Sequence, residues 1–421
     1  MYIALILFLM TYILLLLLPK YRTYVALTSA VLFVVLRILP IEKVWTSIDW
    51  NVLLMIAGTM GTVYLFIESK MPALMADILI ERIPNVKWTI LALSFFAGLI
   101  SAFVDNVATV LMVAPVAITI SKKLKISPVN SIIAIAIASN LQGAATLVGD
   151  TTSILLGGYA NMDFLDFFVY QGKVGLFFIV QIGAIISTFV LWHVFRKENQ
   201  PIQCDVQTQV NDYFPTVLLL MTVLLLIAAS FIPNKPMITN GIICVALCFI
   251  GVIQAWIKTG SFTIVQQTLK EIDFLTLGLL ASLFVVVSGI TEAGVVEAIA
   301  KVFVDFSGDN LFIIYTLIVF ASVVFSAFID NIPYIATMLP VVSGISTLLA
   351  IDPTILYFGL LIGATMGGNL TPIGASANIT ALGILRKEGH HVNSKTFMKI
   401  SVPFTLAAVI SGYILTWFLY S

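Results

Sequence analysis

Charge is what this 421-residue sequence has least of: Asp, Glu, Lys and Arg make up only 10% of it. A soluble domain carries about 25%. The 21 basic and 21 acidic residues cancel to a formal net charge of zero, which removes the electrostatic footprint of a nucleic-acid partner. Three cysteines (Cys204, Cys244 and Cys248) do not make a disulfide framework. Cys244 and Cys248 stand one helical turn apart, a spacing that a soft metal or metalloid can use, although small apolar packing residues are the simpler role. Histidine is confined to His193, His390 and His391. A nucleophile–base pair or metal cluster for an intramembrane enzyme is therefore lacking, and an aspartyl dyad is the one enzymatic route left open. The chain is read as not an enzyme, with no cofactor.

What is present is hydrophobicity: 60% of the residues, with a mean hydropathy of +1.09. Runs of about 20 apolar residues recur along the whole length, the mark of membrane-crossing helices. Continuous runs cover 1–18, 23–40, 50–67, 173–195, 214–233, 236–257, 272–290 and 399–420. Four longer stretches, 88–120, 127–158, 310–348 and 353–385, are interrupted by polar, Gly and Pro residues. The first run lacks a basic leader and a small-residue cleavage site, so it is expected to be a true span. Basic residues, among them Lys20, Arg22, Lys70, Arg82, Lys87, "SKKLK" at 121–125, Arg196, Lys197, Lys258, Lys270 and "RKEGHHVNSK" at 386–395, fall on one side only if 88–120 and 310–348 each enter and leave on the same side. The acidic loop around Glu292, Glu297, Asp305 and Asp309 then falls on the other. The expectation is an all-α polytopic protein with ten spans and two re-entrant hairpins, both termini outside. Residues 71–82 and 293–304 are expected as short amphipathic helices at the interface.

The chain repeats itself. At an offset of 225, residues 101–158 fall on 326–383 without a gap. "SAFVDN" (101–106) meets "SAFIDN" (326–331), Pro115 meets Pro340, Pro128 meets Pro353, and Gly143, Thr146 and Gly149 meet Gly368, Thr371 and Gly374. Upstream, at an offset of 224, Ile48-Asp49 meets Ile272-Asp273 and Glu68 meets Glu292. Five spans per half is an odd number, so the second half must insert upside down: two inverted repeats, each with a re-entrant hairpin and a broken helix. The domains are then an N-terminal repeat, 1–195 (hairpin 88–120, broken helix 127–158), a cytoplasmic linker, 196–212, and a C-terminal inverted repeat, 213–421 (hairpin 310–348, broken helix 353–385).

Non-helical backbone at membrane depth is tolerated only where protein or a water-filled cavity satisfies it. Four such breaks are expected: at Asp105-Asn106, at 140–152, at Asp330-Asn331 and at 365–378. Asp105 and Asp330 have the chemistry of helix N-caps, Asp150 or Thr151 can cap the half-helix after the first loop, and Ser376 the one after the second. A cap is worth about 1 kcal/mol. A carboxylate in mid-membrane costs at least about 2.5 kcal/mol. Ser or Thr caps without that cost, which argues for a functional role for Asp105, Asp150 and Asp330. Four helix N-termini contribute roughly +2 against three aspartates. No Lys or Arg occurs at 88–120, 126–172 or 302–385. Such a site suits a cation, proton exchange, or a neutral or cation-paired solute, and fits a bare multivalent anion poorly.

At these residues the chain resembles the ion-transporter superfamily, in the branch of citrate-transporter-like domains, arsenite permeases, NhaD-type sodium/proton antiporters and the melanosomal P protein. The likeness spans nearly the whole chain and is carried by the two hairpin-tip sequences, by "SNLQGAATLVGD" (139–150) and by "GGNLTPIGASAN" (367–378). The family's usual first loop resembles SNIGGTATLIGDPPN; here Gln142 stands for a Gly and Thr151-Thr152-Ser153 for PPN. Dicarboxylate carriers of the wider superfamily have Ser-Asn-Thr at the tips, where this chain has Asp-Asn. The resemblance implies a secondary transporter with a scaffold and a mobile transport domain.

The expected function is secondary active transport of a small ion or ionisable solute, coupled to protons or sodium, by alternating access. Cation/proton antiport or metalloid efflux comes first, a sodium-coupled citrate or dicarboxylate symporter second, and an ion channel on the same scaffold third. The expected site comprises Asp105, Asn106, Asn140, Thr146, Asp150, Thr151, Asp330, Asn331, Asn369, Thr371, Ser376 and Asn378, with sodium, where it is the coupling ion, at Asp105, Asp150 and Asp330. The expected partners are the lipid bilayer, a small solute or ion and, in a homodimer, a second copy of the chain. The expected location is a prokaryotic plasma membrane.

Overall fold

The structure is a computed structural model that describes residues 1–81, 83–124, 126–201, 208–308 and 310–421. Arg82, Lys125, Cys204, most of the linker's centre and Asp309 lie outside the described residues. The first half runs α1 (Tyr2–Leu17), α2 (Arg22–Val35), α3 (Ile41–Ser47), α4 (Trp50–Glu68), α5 (Met71–Glu81), α6 (Val86–Ser101), α7 (Asn106–Leu124), α8 (Val129–Gly143), α9 (Thr151–Tyr159) and α10 (Leu176–Val194). The second half runs α11 (Phe214–Ser230), α12 (Thr239–Thr259), α13 (Thr263–Glu271), α14 (Phe274–Glu292), α15 (Val295–Ser307), α16 (Leu311–Ser326), α17 (Asn331–Leu349), α18 (Thr354–Gly367), α19 (Ser376–Lys387) and α20 (Ser394–Tyr420).

The halves match helix for helix, and the matching extends to the caps. Asp49 Oδ1 accepts from the Val52 amide at 3.0 Å to start α4, and Asp273 Oδ1 from the Thr276 amide at 3.0 Å to start α14. Asn85 caps α6 through the Trp88 amide at 3.1 Å, and Asn310 caps α16 through the Phe312 amide at 3.0 Å. Each cap satisfies amides that the first helical turn leaves orphaned. The packing is duplicated too. α12 lies on α4 and α2 on α14; α6 lies on α8 and α16 on α18; α10 and α20 pair with each other.

Among the described residues, seven helices are long and apolar enough to cross a membrane singly. α1 and α2 meet that test only as a pair bent by 113°. Their 16 and 14 residues are each short of the roughly 20 that a span needs. The exposed apolar surface is continuous along α1, α10, α12 and α20, as lipid contact demands.

Local structure departs from the sequence expectations in three places. Both breaks are shorter than 140–152 and 365–378: α8 stays helical through Gly143 and only residues 144–150 unwind, while α18 runs through Gly367 and α19 starts at Ser376, leaving 368–375 between them. The loop 258–271 contains α13, and α3 precedes α4 in the same way. The architecture is not purely helical, because Val169–Tyr170 and Lys173–Val174 pair antiparallel across Gln171 (φ 51°) and Gly172 (φ 75°). Two successive left-handed residues make the turn that matches strand twist. Cys244 and Cys248, both buried, face glycines of α4; a Cβ on Gly61 would lie 2.3 Å from the Cys248 sulfur. This close approach makes them packing residues.

The hairpin turns seat directly on the unwound loops. A Cβ on Gly149 would stand 2.6 Å from the Gly143 carbonyl oxygen and 2.8 Å from those of Ser101 and Ala102. A Cβ on Gly374 would meet the carbonyl oxygens of Gly368, Ser326 and Ala327 at 2.6, 2.7 and 2.9 Å. Backbone cannot move aside as a flexible side chain can. Gly149→Ala and Gly374→Ala should each destabilise the protein by about 1–3 kcal/mol, read as a lower melting temperature of detergent-purified protein; Gly383→Ala, where a Cβ meets open space, should not.

Candidate functional site

Two turns and two loops converge. Ala102–Asp105 joins α6 to α7, and Ala327–Asp330 joins α16 to α17. As expected, Asp105 Oδ1 caps α7, accepting from the Val107 and Ala108 amides at 3.0 and 3.1 Å, and Asp330 Oδ1 accepts from the Ile332 amide at 3.2 Å. The Thr146 and Thr371 hydroxyls donate to the carbonyls of Ala102 and Ala327, and so pin each loop to its own hairpin. Ser153 Oγ donates to the Gly143 carbonyl, and its counterpart Asn378 Nδ2 to the Gly368 carbonyl, both at 3.2 Å. Thr146, Thr371 and Asn378 thus brace the loops.

The expected caps of the second half-helices differ from what forms. Asp150 occupies the cap position of α9, but its side chain makes no capping bond: Oδ2 accepts from Thr152 Oγ1 at 2.9 Å and faces Asn331 Nδ2 at 3.5 Å. Ala375, not Ser376, is the cap residue of α19; Ser376 is its first helical residue and turns its hydroxyl to Asp330 Oδ2 at 3.3 Å. Both side chains are spent on contacts to the opposite repeat or to a hairpin tip.

Buried amides join the halves. Asn140 Nδ2 donates to the Thr365 carbonyl at 2.8 Å and to Asn369 Oδ1 at 3.1 Å, while Asn140 Oδ1 accepts from Asn106 Nδ2 at 3.0 Å. Asn369 Nδ2 returns a bond to the Ile137 carbonyl at 2.8 Å. Thr365 is the position that matches Asn140 in the sequence repeat. Thr152 and Thr365 hydroxyls meet at 3.0 Å beside it.

A cavity of about 210 Å³ opens onto six of the expected residues, Asp105, Asn106, Asp150, Thr151, Asn331 and Ser376. It is also lined by Glu271 and Asp273, which the sequence reading did not assign to the site. Four carboxylates therefore face one cavity, and among the described residues lining it there is no Lys or Arg. Asn140, Thr146, Asp330, Asn369, Thr371 and Asn378 lie behind the lining. Among the described residues, no group of three His, Cys, Asp or Glu side chains is placed to hold a metal ion.

One charge was missed. Arg22, counted from the sequence as a residue of a basic loop, places Nη1 2.8 Å from Asp330 Oδ2, with only 22% of its side chain and 9% of the aspartate's exposed. The bend between α1 and α2 delivers it there, and Tyr12 Oη, bonded to the Pro333 carbonyl at 2.7 Å and to Thr337 Oγ1, fixes α1 against α17. A single basic residue 308 positions from its partner gives no local sequence signal. A second, larger cavity of about 1130 Å³ lies at the other ends of α4 and α14, lined by Asp49, Asn51, Asp163, Lys235, Ser288 and Glu292 among others.

Comparison with known proteins gives one consistent answer. The citrate transporter family model matches residues 6–363 and 245–421. An uncharacterized transporter of Mycobacterium tuberculosis is 30% identical over 409 residues, covering 95% of this chain and 94% of that protein. The P protein of Mus musculus is 25% identical over 448 residues, covering 87% of this chain and 53% of its own. Among solved structures, the YdaH transporter of Alcanivorax borkumensis superposes with a TM-score of 0.60 at 15% identity, covering 89% of this chain and 86% of its own. MtrF of Neisseria gonorrhoeae, described with a class of antimetabolite efflux pumps, does so with a TM-score of 0.58 at 15% identity, covering 89% and 82%. At that identity the likeness is one of fold.

Removing the Asn140 amide leaves buried partners unpaired. Asn140→Ala should cost about 1–3 kcal/mol in thermal stability, measured as melting of purified protein, with a larger loss than Asn130→Ala at the start of the same helix.

Proposed function

The chain belongs to the citrate transporter family, its relatives are transporters and not enzymes, and on that premise we propose that it is a cation-coupled secondary transporter working by alternating access. Membrane transport itself follows from the family. The coupling rests on one observation, the cavity into which Asp105, Asp150, Glu271 and Asp273 project without a basic side chain among its described lining residues. Such a cavity concentrates cations and repels bare anions. The solute is then a cation exchanged for protons or sodium, or an anion that enters with its counter-cation. The family's description favours a citrate-like carboxylate for the second case. Asp105 and Asp150 would take the cation, and Asn106, Thr151, Asn331 and Ser376 would face the solute.

The domain and topology readings are part of this proposal: repeats at 1–195 and 213–421, inverted, with re-entrant hairpins. Their support is the lining of the two cavities. The C-terminal part of α4 (Met60–Ile67) and the N-terminal end of α14 (Asp273, Thr276) share the small cavity. The N-terminal end of α4 (Asp49–Asn51) and the C-terminal part of α14 (Phe284–Glu292) share the large one. The arrangement is one-sided. Asp105 lies with Asp273, and Asp330 lies with Arg22, whose neighbour Thr23 donates to the Leu275 carbonyl at 2.9 Å. Both tip acids thus sit toward the N-terminal end of α14. With the basic loops cytoplasmic and the termini outside, this is an inward-facing state in a prokaryotic plasma membrane.

In proteoliposomes, Asp105→Asn and Asp150→Asn should each lower cation-driven uptake of sodium or citrate at least about tenfold, the loss of one or more charge-assisted contacts; full retention of sodium or pH dependence in both would sink the coupling assignment. Topology has a separate check. With Cys204, Cys244 and Cys248 replaced by alanine, Asn51→Cys and Thr276→Cys, at the equivalent ends of α4 and α14, should react with impermeant maleimide from opposite faces of the membrane. Labelling of both from one face would exclude the inverted arrangement.

A further inference from the structure

We propose that Arg22 is a built-in cation for Asp330, so that of the two repeat-related tip acids only Asp105, with Asp150 beside the same cavity, is left to take an exchangeable cation. This rests on the cation-coupled reading above. The two tips are alike in sequence and in capping, and the repeat by itself implies two equivalent cation sites. They differ in what meets the second carboxylate oxygen. At Asp330 it holds the Arg22 guanidinium at 2.8 Å and the Ser376 hydroxyl at 3.3 Å. At Asp105 no cationic side chain is paired with it among the described residues.

The asymmetry comes from outside the repeat-matched segments. Arg22 opens α2, and the matching helix, α12, opens with Thr239, Asn240 and Gly241, none of them charged. Asn240 is turned instead toward Asp163, its Nδ2 3.4 Å from Oδ1. A cation at a helix N-terminus opposes the helix dipole, so Arg22 is poorly placed for α2 alone and is held there by its partner. Asp330 is nearly excluded from solvent, and removing its partner leaves an unpaired buried charge. The access routes agree, since Asp105 and Asp150 line the cavity of about 210 Å³ and neither Arg22 nor Asp330 does. Arg22 thereby sets the cation stoichiometry of the carrier.

The experiment compares purified wild type, R22Q, D330N, R22Q/D330N and R22Q/D105N, with radiolabelled sodium in equilibrium dialysis and melting temperature as paired readouts. Wild type is expected to bind about one sodium per chain, R22Q about two, and R22Q/D330N about one again, because a ligand fills an acid that its built-in cation has left. R22Q should melt lower than wild type in sodium-free buffer, and D330N in the same chain should recover most of that loss, whereas D105N should recover none. R22K, which keeps the charge, should stay at about one sodium. Two sodium ions in wild type, or an R22Q protein with unchanged stoichiometry and no recovery by D330N, would overturn the proposal. So would an R22Q protein that melts as wild type but no longer gains stability from citrate, since Arg22 would then be an anion-binding residue. Absence of sodium binding in every protein would count against sodium as the coupling ion, while recovery of the R22Q/D330N chain would still carry Arg22 as the counter-ion of Asp330.

Discussion

The structure depends on satisfying broken backbone where water is scarce. Helices that stop in the interior leave amides and carbonyls without partners, and in an apolar surrounding each orphan costs several kcal/mol. The solution is the same in both halves. Threonine hydroxyls of the unwound loops close on hairpin-turn carbonyls, aspartates cap the returning helices, and glycines let one turn of backbone lie on another. These contacts join hairpin and loop in each repeat.

Those contacts then fix what the site can be. With the loops closed by Thr146, Thr371, Ser153 and Asn378, the side chains that line the small cavity include Asp105, Asp150, Asn106, Asn331 and Ser376, drawn from both halves. Asn140, bonded to the backbone of its own counterpart, ties the halves together. An acid-lined cavity therefore arises as the residue of a structural solution. Duplication repeats the frame; Arg22, which has no charged counterpart at the start of α12, makes the charge asymmetrical.

Much of this was legible in the sequence. The repeated "SAFVDN" and "SAFIDN" located both tips, and an aspartate followed by a helix-forming run identified the caps of α7 and α17, because capping is decided within four residues of chain. The loops were located but drawn too long, since α8 keeps Asn140 and Gln142 in helix: their amides find partners on α18 and α10, which local chemistry cannot reveal. Asp150 and Ser376 were read as caps because cap propensity is local. Their actual partners, Thr152, Asn331 and Asp330, include groups from hairpins far away in the chain.

The sequence by itself determined the membrane-embedded helical class, the duplication, the two aspartate tips and the absence of basic residues from the broken segments, since each is a property of composition or of near neighbours. Only the tertiary structure decided which acids share a cavity, that Glu271 and Asp273 join them, and that Asp330 already holds a cation. The physical reason is range. Hydropathy and capping act over one to five residues, whereas an ion pair between Arg22 and Asp330 exists only after α1 and α2 have folded against α17.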